Sequence, residues 1–391
     1  MNVTRVFHPV GQGGFYTETF DVPQLLMTVY DCGGNSVKSM EDYLKSFLPE
    51  KKDKVDTIVF ISHLHFDHIN GLNYLLNNAN VIRLCLPQLT PERILETTLY
   101  NAINFSQSSN EYVNSIIDSF TTGQYKNDVT YIRPTGELFR ENRERETNIK
   151  GRMPLEMESG SQIYVDTASN PRWVYIPYNP TSKKPDFSSP DKHVQLLKTI
   201  YESFPDKLCQ EIASVVKNLT HSELISIYKK IFGSIHNSQS MAVFSGLLFD
   251  DDRMKIRDVE SNLFASHCGY FWDYDRYCCM HEGKCPCNFL YTGDYENRSK
   301  SSYPDIRNFY KNSYPNVWDT ICGIQIPHHG SRKNHYQRIY EKKCFAVASV
   351  GVHNRYHHPN IDTLLNIYNQ GCMPIVVTED INTLKYQHFM F

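Results

Sequence analysis

Apolar positions along the chain keep two rhythms, and the changes between them mark its elements. Residues 3–9 and 25–31 alternate or run apolar over strand lengths, with Gly11-Gln12-Gly13-Gly14 between them as a turn where backbone can approach a ligand. A helical period over about 39–47 leads to Thr57-Ile58-Val59-Phe60-Ile61, whose near-continuous apolar character predicts a strand covered on both faces. Gly71 to Leu76 is helical, and Val81 to Leu86 is a second buried strand stopped by Pro87. This strand–helix–strand order predicts an α/β fold.

Beyond Pro87 the period becomes helical. Thr90-Pro91 is an N-cap followed by proline at the first helical position, starting a helix to about Asn101, with a second from about Asn110 to Phe120. Residues 140–152 mix both charge signs and read as a solvated loop. Residues 161–166 and 172–177 alternate like strands. From Ser189-Pro190 to about residue 235 the chain is helical again. Leu208, Ile212, Val215, Val216 and Leu219 share one face. Thr220-His221-Ser222-Glu223 is a capping box ahead of a second stripe of Leu224, Ile227, Tyr228 and Ile231. Strands resume at 240–248 and 288–292. The pattern predicts one domain over 1–391, with helical or loop insertions at 90–150 and 188–236 and a Cys-rich insertion at 250–287.

Composition narrows the function classes. The 391 residues are 40% hydrophobic and 13% aromatic, ample for a packed core, and the net charge of -3 gives no overall basic field for nucleic acid. No apolar run approaches about 18 residues, and the N-terminus has no basic segment ahead of an apolar one. No membrane association is expected, and a cytoplasmic location is. Eleven Cys without a secretory signal point to thiols or metal ligands rather than disulfides.

The densest chemistry follows the buried strand, in Ser62-His63-Leu64-His65-Phe66-Asp67-His68. Imidazole and carboxylate are the usual ligands of zinc and similar ions. The one-residue spacing lets His63 and His65 grip one ion from extended backbone, while Asp67 and His68, further round the bend, reach a second. A separate Cys-x-Cys, Cys285-Pro286-Cys287, with Cys278-Cys279-Met280-His281 before it, predicts a structural zinc held by Cys278, His281, Cys285 and Cys287. Unpaired thiols near a hairpin are the competing expectation.

The HxHxDH cluster after an apolar strand resembles the signature of the metallo-β-lactamase fold superfamily. Val10-Gly11-Gln12-Gly13, Asp31-Cys32-Gly33-Gly34, Thr292-Gly293-Asp294, His328-His329-Gly330-Ser331, Ser349-Val350-Gly351, Asn354 and His358-Pro359 follow in order. As a set they resemble the metallo-hydrolase domain of bacterial DNA-uptake (competence) proteins and their free-standing relatives. Where that family carries Asp, this chain has Gly14. The resemblance implies a four-layer αββα sandwich in which Asp31 supports the metal loop, Asp294 bridges both ions and His329 completes the ligand set. It places Asn237 at the substrate or as a weak oxygen ligand, His328 beside the ligands, and His358 as the acid. Asn354, Ser331 and Arg332 are then candidates to bind phosphate oxygens.

The expected function is a metal-dependent phosphodiesterase or nuclease. Two divalent ions, zinc or manganese, would hold a hydroxide oriented by Asp67, and the substrate would be nucleic acid or a nucleotide. The metal cluster alone equally suits a hydrolase of a lactone, thioester or other carbonyl compound, or an inert binding protein of the same fold. The helical insertion is expected to shape the substrate entrance or to contact a partner protein or second protomer.

Overall fold

The structure, a computed structural model, describes residues 1–21, 25–48, 55–125, 127–135, 146–148, 154–165, 172–203, 207–233, 240–248, 256–263, 285–296, 305–314, 316–333, 336–341 and 343–391. It is a mixed α/β fold with two large sheets and helices. The first sheet contains β1 (Asn2–Phe7), β2 (Phe15–Phe20), β3 (Leu26–Cys32), β4 (Asp56–Phe60), β5 (Asn80–Pro87) and β6 (Val129–Arg133). The second contains β7 (Glu146–Asn148), then β9 (Gln162–Tyr164), β10 (Trp173–Tyr178) and β11 (Ala242–Leu247), with β8 (Glu156–Glu158) belonging to the first. The remaining strands are β12 (Asp258–Ser261), β13 (Cys285–Tyr291), β14 (Ile321–Gln325), β15 (Phe345–Ser349), β16 (Met373–Val377) and β17 (Lys385–Met390). The strand orders are β12-β17-β1-β2-β3-β4-β5-β6-β8 and β16-β15-β14-β13-β11-β10-β9-β7.

Strand alternation decides which core each side chain enters. In β3 and β4, Leu26, Tyr30, Ile58 and Phe60 join a core shared with residues of the second sheet, such as Tyr175, Val243 and Tyr291. Met27, Val29 and Val59 point the other way, to a core shared with helices. A third cluster places Leu290, Ile324 and Ala346 against Ile306, Phe309, Tyr310 and Ile367. Apolar side chains on both faces explain the uninterrupted run at 58–61. β3 to β6 are parallel, as are β13 to β16. Their carboxyl ends are where an α/β sheet opens its crevice.

The expected helices form, with small shifts at the ends: Val37–Phe47, Leu72–Asn78, Pro91–Asn104, Gln107–Thr121, Lys192–Ser203, Leu208–Val216 and His221–Phe232. Thr90 caps its helix through Arg93 N–H, and the Thr220–Glu223 capping box is present. The 192–232 helices pack on Pro91–Asn104, where Tyr228 Oη donates to Glu96 Oε1 at 2.9 Å. Among the described residues, no helix is long and apolar enough to cross a membrane.

Two expectations need correction. β2 was hidden as a strand because Thr17 and Glu18, both buried, break its apolar pattern. Cys285 and Cys287 lie in β13 rather than in an insertion, on the face that enters the inter-sheet core. Burial, with Cys285 alongside, pushes the Cys287 thiol well above its usual range. Cys278 and His281 lie outside the described residues.

His8 sits in an aromatic box, its ring 4.4 Å from Phe15 and 4.6 Å from Phe47. Its nitrogens lie 2.8 Å from Tyr43 Oη and 2.7 Å from Thr17 Oγ1. Burial lowers its pKa to about 3. The unfolded chain therefore binds a proton at this site between about pH 6.5 and 3 that the folded one refuses, and stability falls as pH drops through that window. Denaturant midpoints measured at pH 7, 6 and 5 should show a slope that flattens in His8→Gln by up to about 1.4 kcal/mol per pH unit. An unchanged slope would show that His8 does not titrate on unfolding.

Candidate metal centre

Asp31, at the end of β3, organises the loop that leaves β4. It accepts the Ser62 N–H at 2.7 Å and the Ser62 hydroxyl at 2.8 Å, and His68 Nδ1 donates to it at 2.8 Å. One carboxylate thus ties both ends of the His63–His68 segment. Asp31 has a φ of 57°, uncommon for a residue with a side chain. Gly13 (φ 125°) and Gly33 press against this loop, and a Cβ on either would collide with the Asp67 carbonyl oxygen. The two glycine turns near the start of the chain are therefore the floor of the loop.

The opposing ligands come from the second sheet. Asp294 follows β13, its N–H donating to Ser240 Oγ at 2.9 Å. Gln325 Oε1 accepts the N–H groups of Thr292 and Gly293, both at 2.9 Å, and so fixes the turn before it. His328 and His329 follow β14 with φ values of 48° and 53°. Left-handed backbone in non-glycine residues costs of order 1–3 kcal/mol each and clusters where function requires it.

Three imidazoles share one arrangement. His329 Nδ1 donates to Ser349 O at 2.8 Å. His68 Nδ1 is held by Asp31, and His63 Nδ1 lies 2.9 Å from Ser62 Oγ and 3.0 Å from Ser240 Oγ. Each ring is thereby turned so that Nε2 faces the carboxylates, as outer-shell partners do for metal ligands. Asp294 Oδ1 is 3.1 Å from His68 Nε2 and 3.6 Å from His329 Nε2, while Oδ2 is 3.8 Å from His63 Nε2 and 3.7 Å from His328 Nδ1. Asp67 Oδ2 is 3.6 Å from His329 Nε2. Two groups result, His63–His68–Asp294 and Asp67–His68–His329, each with ligand atoms within 4.8 Å of one another.

The donor set fits a metal. Nε2 of His63, His68 and His329 is buried and faces only carboxylate oxygens, 3.1 to 3.8 Å away, with no well-formed hydrogen bond. Buried nitrogens without a partner are costly unless something accepts their lone pairs. Protonation follows the same geometry. Burial and neighbouring imidazoles push His63 well down. Burial also opposes a charge on His68, but Asp294 and Asp31 on its two sides outweigh it and hold His68 well above the usual histidine range. Asp294 is held well down against burial by His328, His68 and His329. Metal uptake therefore requires a proton to leave His68.

Other expected site residues fall as follows. His65 is buried beside His63, with ring centroids 4.2 Å apart, but its ring stacks on Tyr100 and it joins neither group. His358 faces His328 edge-on at 5.8 Å, and burial with His328 and His329 lowers its pKa to about 4. Ser331 is buried, its N–H donating to His328 O at 2.9 Å. Asn354 spends its amide on its own loop, donating to Gly351 O and His358 O at 2.7 Å and accepting the His358 N–H at 2.8 Å. It shapes the turn carrying His358 instead of offering a free amide to phosphate. Arg332 is exposed and pairs with Asp362. Asn237 lies outside the described residues. Sequence reading passed over Gln325, Tyr100 and Asn101, single polar or aromatic residues that no motif marks, and met Ser240 only as the end of an Asn-x-x-Ser motif, Asn237-Ser238-Gln239-Ser240.

A cleft of about 480 Å³ opens beside Asp67, lined by Phe66, Asn104, Phe105, Ser106, Arg355 and Tyr356 among others. Residues 104–106 and Ser109 contribute to this wall, and none of the described residues of 188–236 does. A search of curated proteins finds no match to the chain. Residues 28–96, from β3 through the His63–His68 loop into the helix Pro91–Asn104, match the family model of the metallo-beta-lactamase superfamily, most of whose members are metal-dependent hydrolases.

Proposed function

We propose that the protein is a two-metal phosphodiesterase or nuclease, and that its three cores lie between the four layers of an αββα sandwich. The observation that carries the reading is the convergence of three buried Nε2 atoms on the carboxylates of Asp67 and Asp294. His68 has one nitrogen to give and would hold one ion with Asp67 and His329. His63, with His65 beside it, would hold the other, and Asp294 lies within reach of both groups. When bound, zinc or manganese would acidify a water and neutralise phosphoryl charge. Asp67 would orient that water from the cleft side. His358, its pKa lowered to about 4, is neutral near pH 7, and an anionic phosphoryl group beside it would favour its charged form. Only a negatively charged substrate would then prepare His358 to protonate a leaving oxygen.

A carbonyl substrate is the second reading. One observation favours it: the charged cleft lining is Arg355 against Asp67 and Glu379, with no net positive charge to attract a polyanion. The test is to load the protein with zinc or manganese and offer bis-p-nitrophenyl phosphate, single- and double-stranded DNA, RNA, and a panel of lactones and thioesters. Phosphodiester cleavage is expected. Turnover confined to lactones or thioesters would replace the first reading with the second, and a metal-loaded but inactive protein would leave a binding role.

A further inference from the structure

We propose that Tyr100 and Asn101, on the helix Pro91–Asn104, are positioning residues that set His65 for the metal centre; this rests on reading the His–Asp cluster as that centre. Asn101 is fully buried. Its Nδ2 donates to Leu64 O at 3.1 Å and its Oδ1 accepts the Phe66 N–H at 3.1 Å. One amide therefore bridges the peptide groups on both sides of His65. A further bond from Nδ2 to Thr97 O at 2.9 Å anchors Asn101 to its own helix. Tyr100 lies parallel to the His65 ring, centroids 3.8 Å apart and planes 2° apart. The His63 ring stands on edge at 4.2 Å.

His63, His68 and His329 are oriented through Nδ1 hydrogen bonds. His65 is held by a ring face and by its flanking peptides. An electron-rich phenol face favours an imidazole that carries positive charge, as metal ligation confers. The helix supplying both residues is braced from behind by Tyr228 on Glu96.

Zinc affinity of the full chain, measured by competition with a chromophoric chelator, tests the clamp. Tyr100→Leu is expected to weaken one of two zinc equivalents about tenfold, the lower end of outer-shell effects. Tyr100→Phe, which keeps the ring, should stay within about twofold of wild type. In a His65→Ala background, Tyr100→Leu should add nothing. Melting of the metal-stripped proteins checks folding, with Tyr100→Met as a second ring-less variant. The clamp is overturned if a folded Tyr100→Leu protein binds both equivalents as tightly as wild type, or if its loss persists undiminished without His65. Wild-type protein that takes up no zinc would overturn the clamp and the metal-centre reading together.

Discussion

Asp294→Asn is expected to slow phosphodiester hydrolysis by on the order of a thousandfold, or about 4 kcal/mol of barrier. Bound metal should fall from two equivalents per chain toward one or fewer. The reason is that both carboxylate oxygens are used. Oδ1 faces His68 and His329, and Oδ2 faces His63 and His328, all between 3.1 and 3.8 Å. An amide of the same shape removes the negative charge facing both ions and aims N–H at a nitrogen whose lone pair should be free. Asp67 would be left as the acidic member of the two groups. The change is isosteric, so circular dichroism of the metal-free variant should match wild type. Metal analysis and turnover can be read on the same sample, and two retained equivalents with near-normal rate would remove Asp294 from the centre.

Glu18→Gln should lower folding stability by about 3–5 kcal/mol, the usual loss when one partner of a buried ion pair is removed. Arg5 and Glu18 are both almost fully buried and meet at 2.7 Å. Arg5 also donates to Gln387 Oε1 at 3.1 Å and to Cys287 O at 2.7 Å, and its guanidinium lies 5.1 Å from the Phe289 ring centroid. Glu18 accepts the hydroxyls of Ser245 at 2.7 Å, Tyr291 at 3.0 Å and Tyr175. The pair thus joins β1 and β2 of one sheet to β10, β11 and β13 of the other. Neutralising Glu18 strands a guanidinium in the core. The double change Arg5→Met with Glu18→Gln should cost less than the two single losses added, because no unpaired charge remains. Chemical denaturation gives both numbers, and a Glu18→Gln loss under about 1 kcal/mol would show that water or a rearranged partner reaches Arg5.

The same pair explains what the sequence concealed. The run at 58–61 and the capping residues Thr90 and Thr220 were legible because local chemistry alone determines them. So was the His63–His68 cluster, which has no cheaper reading than a ligand set. β2 was not, because Glu18 looks solvent-facing until Arg5, Tyr175, Ser245 and Tyr291 arrive from elsewhere in the chain. Cys285 and Cys287 invited a zinc reading through spacing, while their strand position turns both toward apolar neighbours. His65 was grouped with His63 by proximity in sequence. The tyrosine that stacks on it lies on a helix that periodicity located, without revealing which face meets the loop.

Strand β1 has β17 on one side and β2 on the other, with Asn2 opposite Met390. One strand in from an edge of the nine-stranded sheet, the ladder is therefore closed by residues far apart in sequence. During synthesis β1 must wait, one edge bare, until residues 385–390 have left the ribosome. Removing β17 would leave that edge open to foreign strands, so a short C-terminal deletion should aggregate while an equally long cut in the exposed face of a helix would not.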